Sequence, residues 1–255
     1  MAGTLYVVGT PIGNLDDVSL RALRVFRHVA FIAAEDAQAA QRLLTHYAIE
    51  TPVTGYQNHN KAEKVPLFLR RLQEGQSMAL VCDAGTPAVF DPGSFLIDRA
   101  LQGGIAVAPI PGPSAAVTAM SVSGFEGDAF VVHGPVAGGR IACRRLFHDL
   151  KAERRHMVLF VESRRLRAIL EAVHVGLGVR RMTLAKNLTK PDEKILRGTA
   201  AQLLRKRKDW KSGDELTLVI EGSARGRKTA GKEKRVRRRS ACESSRGRSS
   251  RRPLA

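Results

Sequence analysis

The stretch MALVCDAGTPAVFDPGS, Met78 to Ser94, runs from a short apolar segment straight into a loop holding two aspartates, two prolines and two glycines. An apolar run of that length suits a strand buried on both faces. A loop punctuated by Gly and Pro at its end is where open parallel sheets hold their ligands. The segment that follows, SFLIDRALQGG, has helical spacing and a glycine stop.

Working outward, the same alternation repeats. TLYVV, AFIAAE, TPVTGY and IAVAPI read as further strands, and DDVSLRALRVFRHVA, QAAQRLLTHYAI and KAEKVPLFLRRLQEG as helices between them. In the first helix Leu20, Leu23 and Phe26 recur at helical spacing behind Asp16 and Asp17, which suit a helix start. After the sharp turn and small-residue helix of PIPGPSAAVTAMSVSGF the character changes. DAFVVHG, HMVLFVE, RRMTLAKNLT, EKILRGT and ELTLVIEG are five strand candidates with fewer helices between them, which fits a mixed sheet. The expected class is therefore α/β with two α/β domains, residues 1–112 and 113–222. A basic tail, 223–255, has almost nothing to bury and is expected to be disordered.

Composition narrows the partners. The formal net charge is +18 over 255 residues, and from Arg225 onward there are thirteen lysines and arginines against two glutamates. Such a balance favours a polyanion, nucleic acid before an anionic membrane surface, although a solubilising tail would look the same. No run of about eighteen apolar residues exists, and the start lacks the basic flank and apolar stretch of a signal peptide, so neither membrane insertion nor export is expected. Cys82, Cys143 and Cys242 are odd in number and far apart, which fits a reducing cytoplasm better than a disulfide framework or metal knuckle. The seven histidines show no metal-ligand spacing, so no metal is expected.

Three turns fall at carboxyl ends of strands: GTPIGN, DAGTPAVFDPG and PGPSA. Neither GxGxxG nor GxxxxGK[ST] is present, and carboxylates repel phosphate at contact. Asp83 and Asp91 therefore favour a ligand with positive charge or sugar hydroxyls, for which S-adenosylmethionine qualifies. Turn capping by both aspartates explains them equally well. A GxSxG elbow is absent, and Ser114 has no evident basic partner.

Taken together, LYVVGTPIGNLDDVSLRAL, AAED, ALVCDAGTPAVFDPG, PIPGPSA and LTK…RGT resemble the tetrapyrrole-methylase superfamily, in its ribosomal RNA branch, from about Thr4 to Gly222. The resemblance implies two α/β domains with S-adenosylmethionine in the cleft between them, usually in a homodimer. The implied reaction is 2′-O-methylation of a decoding-centre cytidine of 16S rRNA in the 30S subunit. Position by position, it puts Pro11, Gly85, Thr86, Pro87 and Phe90 on the cofactor, with Ser114 and Ala115 at the junction and Glu162, Leu188 and Thr189 closing from the second domain. Asp83 joins them by the charge argument above.

Several positions depart from the usual pattern. AEDAQ stands for AEDTR, so Ala37 and Gln38 replace a hydroxyl and an arginine; HGPVAGG stands for EGFLP, VESRRL for YESPHR and KNLTK for RELTK. The substrate side has drifted while the cofactor loops have not. The implied reaction needs a general base, for which Asp36 and His59 are candidates, though either also suits a helix cap or a loop contact. With three Tyr and one Trp, stacking is a minor means of holding RNA, and Arg42, Lys61 and Arg140 are candidate phosphate contacts. Two other readings stay open: a methyltransferase acting on a tetrapyrrole-like small molecule, and a non-catalytic cofactor-binding rRNA assembly protein.

Overall fold

The computed structural model describes residues 1–206 and 209–223; apart from Ser223, the expected tail therefore lies outside the described residues. The first half is built from β1 (Thr4–Val8), α1 (Leu20–His28), β2 (Phe31–Ala34), α2 (Ala37–His46), β3 (Val53–Gly55), α3 (Lys61–Gln73), β4 (Met78–Val81), α4 (Ser94–Gln102) and β5 (Ala106–Ile110). All five strands pair in parallel, in the order β3-β2-β4-β1-β5.

Successive residues of the central strands go to opposite faces, and both faces are dry. Ile32, Ala34, Ala79 and Val81 pack with Leu23 and Phe26 of α1 and with Leu43 and Leu44 of α2. Phe31, Ala33, Met78 and Leu80 pack with Phe68 and Leu72 of α3 and Leu96 of α4. This is why MALV carries no polar residue: Met78, Leu80 and Val81 are each worth about 2 kcal/mol when removed from water, and there is a helix layer on either side to receive them. The expected strands and helices of this half all form. The start of α1 differs, since Ser19 caps it by accepting the Ala22 amide at 3.1 Å. Asp16 and Asp17 sit instead in a 3-10 turn capped by Asn14.

The second half comprises α5 (Ala115–Ser121), β6 (Phe130–Pro135), α6 (Arg140–Asp149), β7 (His156–Glu162), α7 (Leu166–Leu177), β8 (Met182–Lys186), β9 (Lys194–Gly198), α8 (Ala200–Arg205) and β10 (Glu215–Ile220). Its sheet is mixed, in the order β6-β7-β10-β8-β9, with only β6 and β7 parallel. Leu159, Leu184 and Leu218 face Phe147 of α6 and Leu170 of α7. On the other face Val158, Ala185 and Val219 meet Ala116 and Ala119 of α5, together with Ile12 and Leu188. Thus α5 follows a first-sheet strand yet spends its small apolar side on the second sheet, and Ile12 brings the β1 loop into the same cluster.

Candidate active site

Three loops leave the adjacent strands β4, β1 and β5, and the backbone sews them together. Thr10 and Gly85 exchange both main-chain hydrogen bonds, at 2.8 and 3.1 Å, and the buried Thr10 hydroxyl donates to the Cys82 carbonyl at 3.2 Å. The Gly9 amide donates to the Ile110 carbonyl at 2.9 Å. A Cβ on Gly9 would stand 2.7 Å from the Gly112 nitrogen, and one on Gly112 would stand 2.7 Å from the Gly9 carbonyl carbon, so each glycine exists because of the other.

The β4 loop is held in backbone conformations that side chains resist. Ala88 and Phe90 have φ of 65° and 71°, and across the cleft Asn187 and Thr189 have φ of 48° and 64°. A β-branched residue at positive φ is unusual and costs about 1–3 kcal/mol, which the surrounding fold must offset; such positions cluster at ligand clamps. The Leu188–Thr189 turn covers the β1 loop so closely that a Cβ on Gly13 would lie 2.5 Å from the Leu188 carbonyl oxygen.

Between the halves lies a cleft of about 930 Å³. Of the residues expected at a cofactor, Gly85, Thr86 and Phe90 line it from the β4 loop, Ser114 and Ala115 from the start of α5, and Glu162 and Leu188 from the second half. Pro11 and Asp83 line a separate cavity of about 60 Å³ behind the β1 loop, with Thr10 and Cys82. Pro87 is buried behind the loop rather than on the cleft wall. Thr189 turns its hydroxyl inward, where that oxygen has no hydrogen-bond partner among the described residues.

The catalytic candidates lie elsewhere. Asp36 is the N-cap of α2: its Oδ1 accepts the amides of Gln38 and Ala39 at 2.8 and 3.1 Å. His59 is exposed just ahead of α3. Neither lines the cleft. Arg42 is exposed on α2, Lys61 lies over the Phe95 ring at 5.6 Å, and Arg140 pairs with Glu171 at 3.3 Å.

Beyond Glu162 and Leu188, sequence reasoning did not single out the other wall. Phe130, Val132 and Phe160 line it from β6 and β7, and Asp214 to Thr217 from the start of β10. Phe90 meets Phe160 edge-on with ring centres 5.9 Å apart, bridging the cleft. Asp214, buried, is wired into the KNLTK turn: Asn187 donates to it at 3.0 Å, Lys186 stands at 3.5 Å, and both also reach Asp192. Burial raises the Asp214 pKa, but the Lys211 amide, Asn187 and Lys186 outweigh it and hold the carboxyl below its usual range, so it stays ionised.

The sheet end is negative. Asp83 accepts the Asp36 amide at 2.9 Å. Burial, and then the charges of Asp83 and Asp91, push the Glu35 carboxyl up. Burial likewise raises Asp91, with Cys82 opposing and Asp83 adding. The Cys82 thiol is raised by burial first and then by Asp91, so it is an inert neutral group. Among the described residues no group of three or more His, Cys, Asp or Glu could hold a metal ion.

Residues 4–204 match the family described as Tetrapyrrole (Corrin/Porphyrin) Methylases. A protein of Pasteurella multocida called Ribosomal RNA small subunit methyltransferase I is 39% identical over 233 residues, covering 88% of this chain and 81% of the relative. One of the same name from Pseudomonas aeruginosa is 41% identical over 214 residues, covering 84% and 74%. The chain belongs to the tetrapyrrole methylase family, within its ribosomal RNA small subunit methyltransferase I group. The methylase also superposes on the crystal structure of uroporphyrin-III-C-methyltransferase from Thermus thermophilus with a TM-score of 0.62, covering 86% of this chain and 94% of that one; at 21% identity this likeness shows the shared fold.

This methylase is an enzyme that uses S-adenosylmethionine. The cleft fits that cofactor. Its volume lies within the roughly 300–1,000 Å³ of small-molecule sites. Gly85, φ +87°, lines the cleft, and its main chain carries no side chain to stand between it and a ligand. Asp91, Glu162 and Asp214 offer acceptors for an ammonium and for ribose hydroxyls, while the apolar walls suit the adenine and the methylthio carbons.

Proposed function

We propose that this methylase transfers a methyl group to the 2′-hydroxyl of a ribose in 16S rRNA, on a decoding-centre cytidine of the 30S subunit, as a cytoplasmic homodimer. The observation that carries the reading is the single cleft shared by the strand-end loops of one sheet and the β7 and β10 ends of the other. Related chains with the ribosomal RNA name match over the same residues. No helix among the described residues is long and apolar enough to cross a membrane, which accords with a target on the ribosome. The division of the chain at residues 112 and 113 is supported by α5, whose buried side belongs to the second sheet. The basic residues from Arg225 onward belong to the same reading, as further charge for a polyanion.

When bound, the cofactor supplies a methyl carbon on a sulfonium; the carbon–sulfur bond breaks as the carbon–oxygen bond forms, and the hydroxyl proton leaves. The protein chiefly positions the partners, an effect worth up to about 7–11 kcal/mol. Gly85 and Thr86 would hold the nucleoside by main-chain contacts. Asp91, on the wall, is placed to accept the proton as a carboxylate, and the burial that raises its pKa makes it a stronger base. Phe90 and Phe160 exclude water from that side.

The test is to incubate the pure chain with methyl-labelled S-adenosylmethionine and undermethylated 30S subunits. Label in the ribose of 16S rRNA is expected. Label in an added porphyrinoid but not in RNA, or cofactor binding with no transfer, would overturn the proposal.

A further inference from the structure

The rim of the cleft formed by the second half carries a feature of its own. Arg165, half-buried at the start of α7, donates from one guanidinium nitrogen to the Val136 carbonyl and from the other to the Gly138 carbonyl; the second also lies 3.5 Å from the Cys143 sulfur. No carboxylate stands within ion-pair distance of Arg165 among the described residues. Its charge is spent on fixing the loop from Val136 to Gly139 and is not neutralised there. That loop joins Pro135, on the cleft wall, to α6.

Arginines flank the clamped loop on both sides. Arg164 lines the cleft with its side chain 78% exposed, and α6 presents to solvent Arg140 and, one turn on, the consecutive Arg144 and Arg145. Acidic groups face this surface too: Glu162 pairs with Arg164 at 2.5 Å, Glu171 with Arg140 at 3.3 Å and with Arg167 at 2.9 Å, and Asp149 lies at the far end of α6 beside His148. These are solvent-exposed pairs that hold their partners weakly and yield to a phosphate. Arg144 and Arg145 have no carboxylate within 4.0 Å among the described residues. Ile141 stands exposed between them and Arg140.

We infer that the surface running from Arg164 across the Arg165-clamped loop to Arg140, Arg144 and Arg145 binds the phosphodiester backbone of the RNA strand whose ribose enters the cleft. The inference rests on the proposed function for its substrate. A strand laid along this rim has its phosphates on the arginines and one sugar at the cleft lip. Arg165 is a positioning residue: it keeps the loop flat against α6, so the arginines lie in line with the cleft. RNA is favoured over a membrane surface because the basic line begins at the reaction site itself.

The test uses the full chain with Arg140→Ala, Arg144→Ala and Arg145→Ala together, and separately with Arg165→Lys. Binding to undermethylated 30S subunits is followed across a salt series, and S-adenosylmethionine affinity by calorimetry. The triple variant is expected to raise KM for the subunit roughly tenfold and to lower the slope of log affinity against log salt by about 2, at about 0.7 per single-strand phosphate, with cofactor affinity unchanged. Arg165→Lys is expected to raise KM while leaving kcat, cofactor affinity and the melting temperature near wild type. An unchanged slope and KM in the triple variant would overturn the inference, as would a loss of binding to phosphatidylglycerol vesicles with subunit binding intact. Wild-type chain that binds subunits without methylating them would sink the proposed function alone, because the salt slopes can still be compared.

Discussion

A Cβ on Gly134 would sit 2.5 Å from the ring of Phe90, so these two residues, one from each half of the molecule, share a space that only glycine leaves open. Gly134 has φ of +65° at a register shift in β6, and the bulge brings its backbone up to the ring. Phe90, itself at positive φ and half exposed, is held there against Phe160.

Gly134→Ala therefore forces the Phe90 ring off the cleft wall and adds about 1–2 kcal/mol of backbone strain. Calorimetry should show S-adenosylmethionine affinity roughly tenfold weaker. Combining it with Phe90→Ala should remove the clash, so the double variant should bind no worse than Phe90→Ala alone. Affinity unmoved in Gly134→Ala would mean that the ring is not part of the cofactor site.

Asp36 separates capping from catalysis cleanly. Asp36→Ala should lower stability by about 1 kcal/mol through the lost α2 cap, whereas Asp36→Asn, which caps as well, should melt like wild type. Both should retain most turnover, since the carboxylate does not line the cleft. A hundredfold fall in turnover for Asp36→Asn at unchanged melting temperature would restore it as the general base.

The Glu35 carboxyl gives a pH signature. Its folded pKa is raised by burial and by Asp83 and Asp91, so the folded state holds this proton more tightly than the unfolded chain. Stability attached to the group is present in acid and is lost as pH rises from the ordinary carboxylate range through the raised value. Glu35→Gln should thus melt higher than wild type at pH 8, with the gap closing toward pH 4. A gap that widens in acid would show that Glu35 is stabilised as an anion.

The fold was legible because a doubly covered parallel sheet writes itself as apolar runs such as MALV and FIAA, each followed by a helix. The first-sheet wall of the cleft was legible for a related reason: DAGTP and PGPSA carry the Gly and Pro that strand-end loops require. Most of the opposite wall, apart from Glu162 and Leu188, was not. Phe160 lies in a continuous strand, and Asp214 opens another; only the packing of β7 and β10 against α5 turns those positions toward the cofactor cleft. Asp36 is ambiguous in the sequence because a residue that caps a helix and a residue that takes a proton are both carboxylates just beyond a strand; in the structure it caps α2.

The mutual fit of Gly9 and Gly112 bears on how anything gets in. The covalent passage between the halves is Pro111–Gly112–Pro113, and its middle residue is wedged against the β1 loop. Opening the molecule like a pair of jaws would leave that wedge in the first half and would instead part the β1 loop from the second half, where Ile12 joins its core and Gly13 lies against Leu188. Passage through the lip, by rotation of side chains such as Phe90, leaves both of those contacts in place.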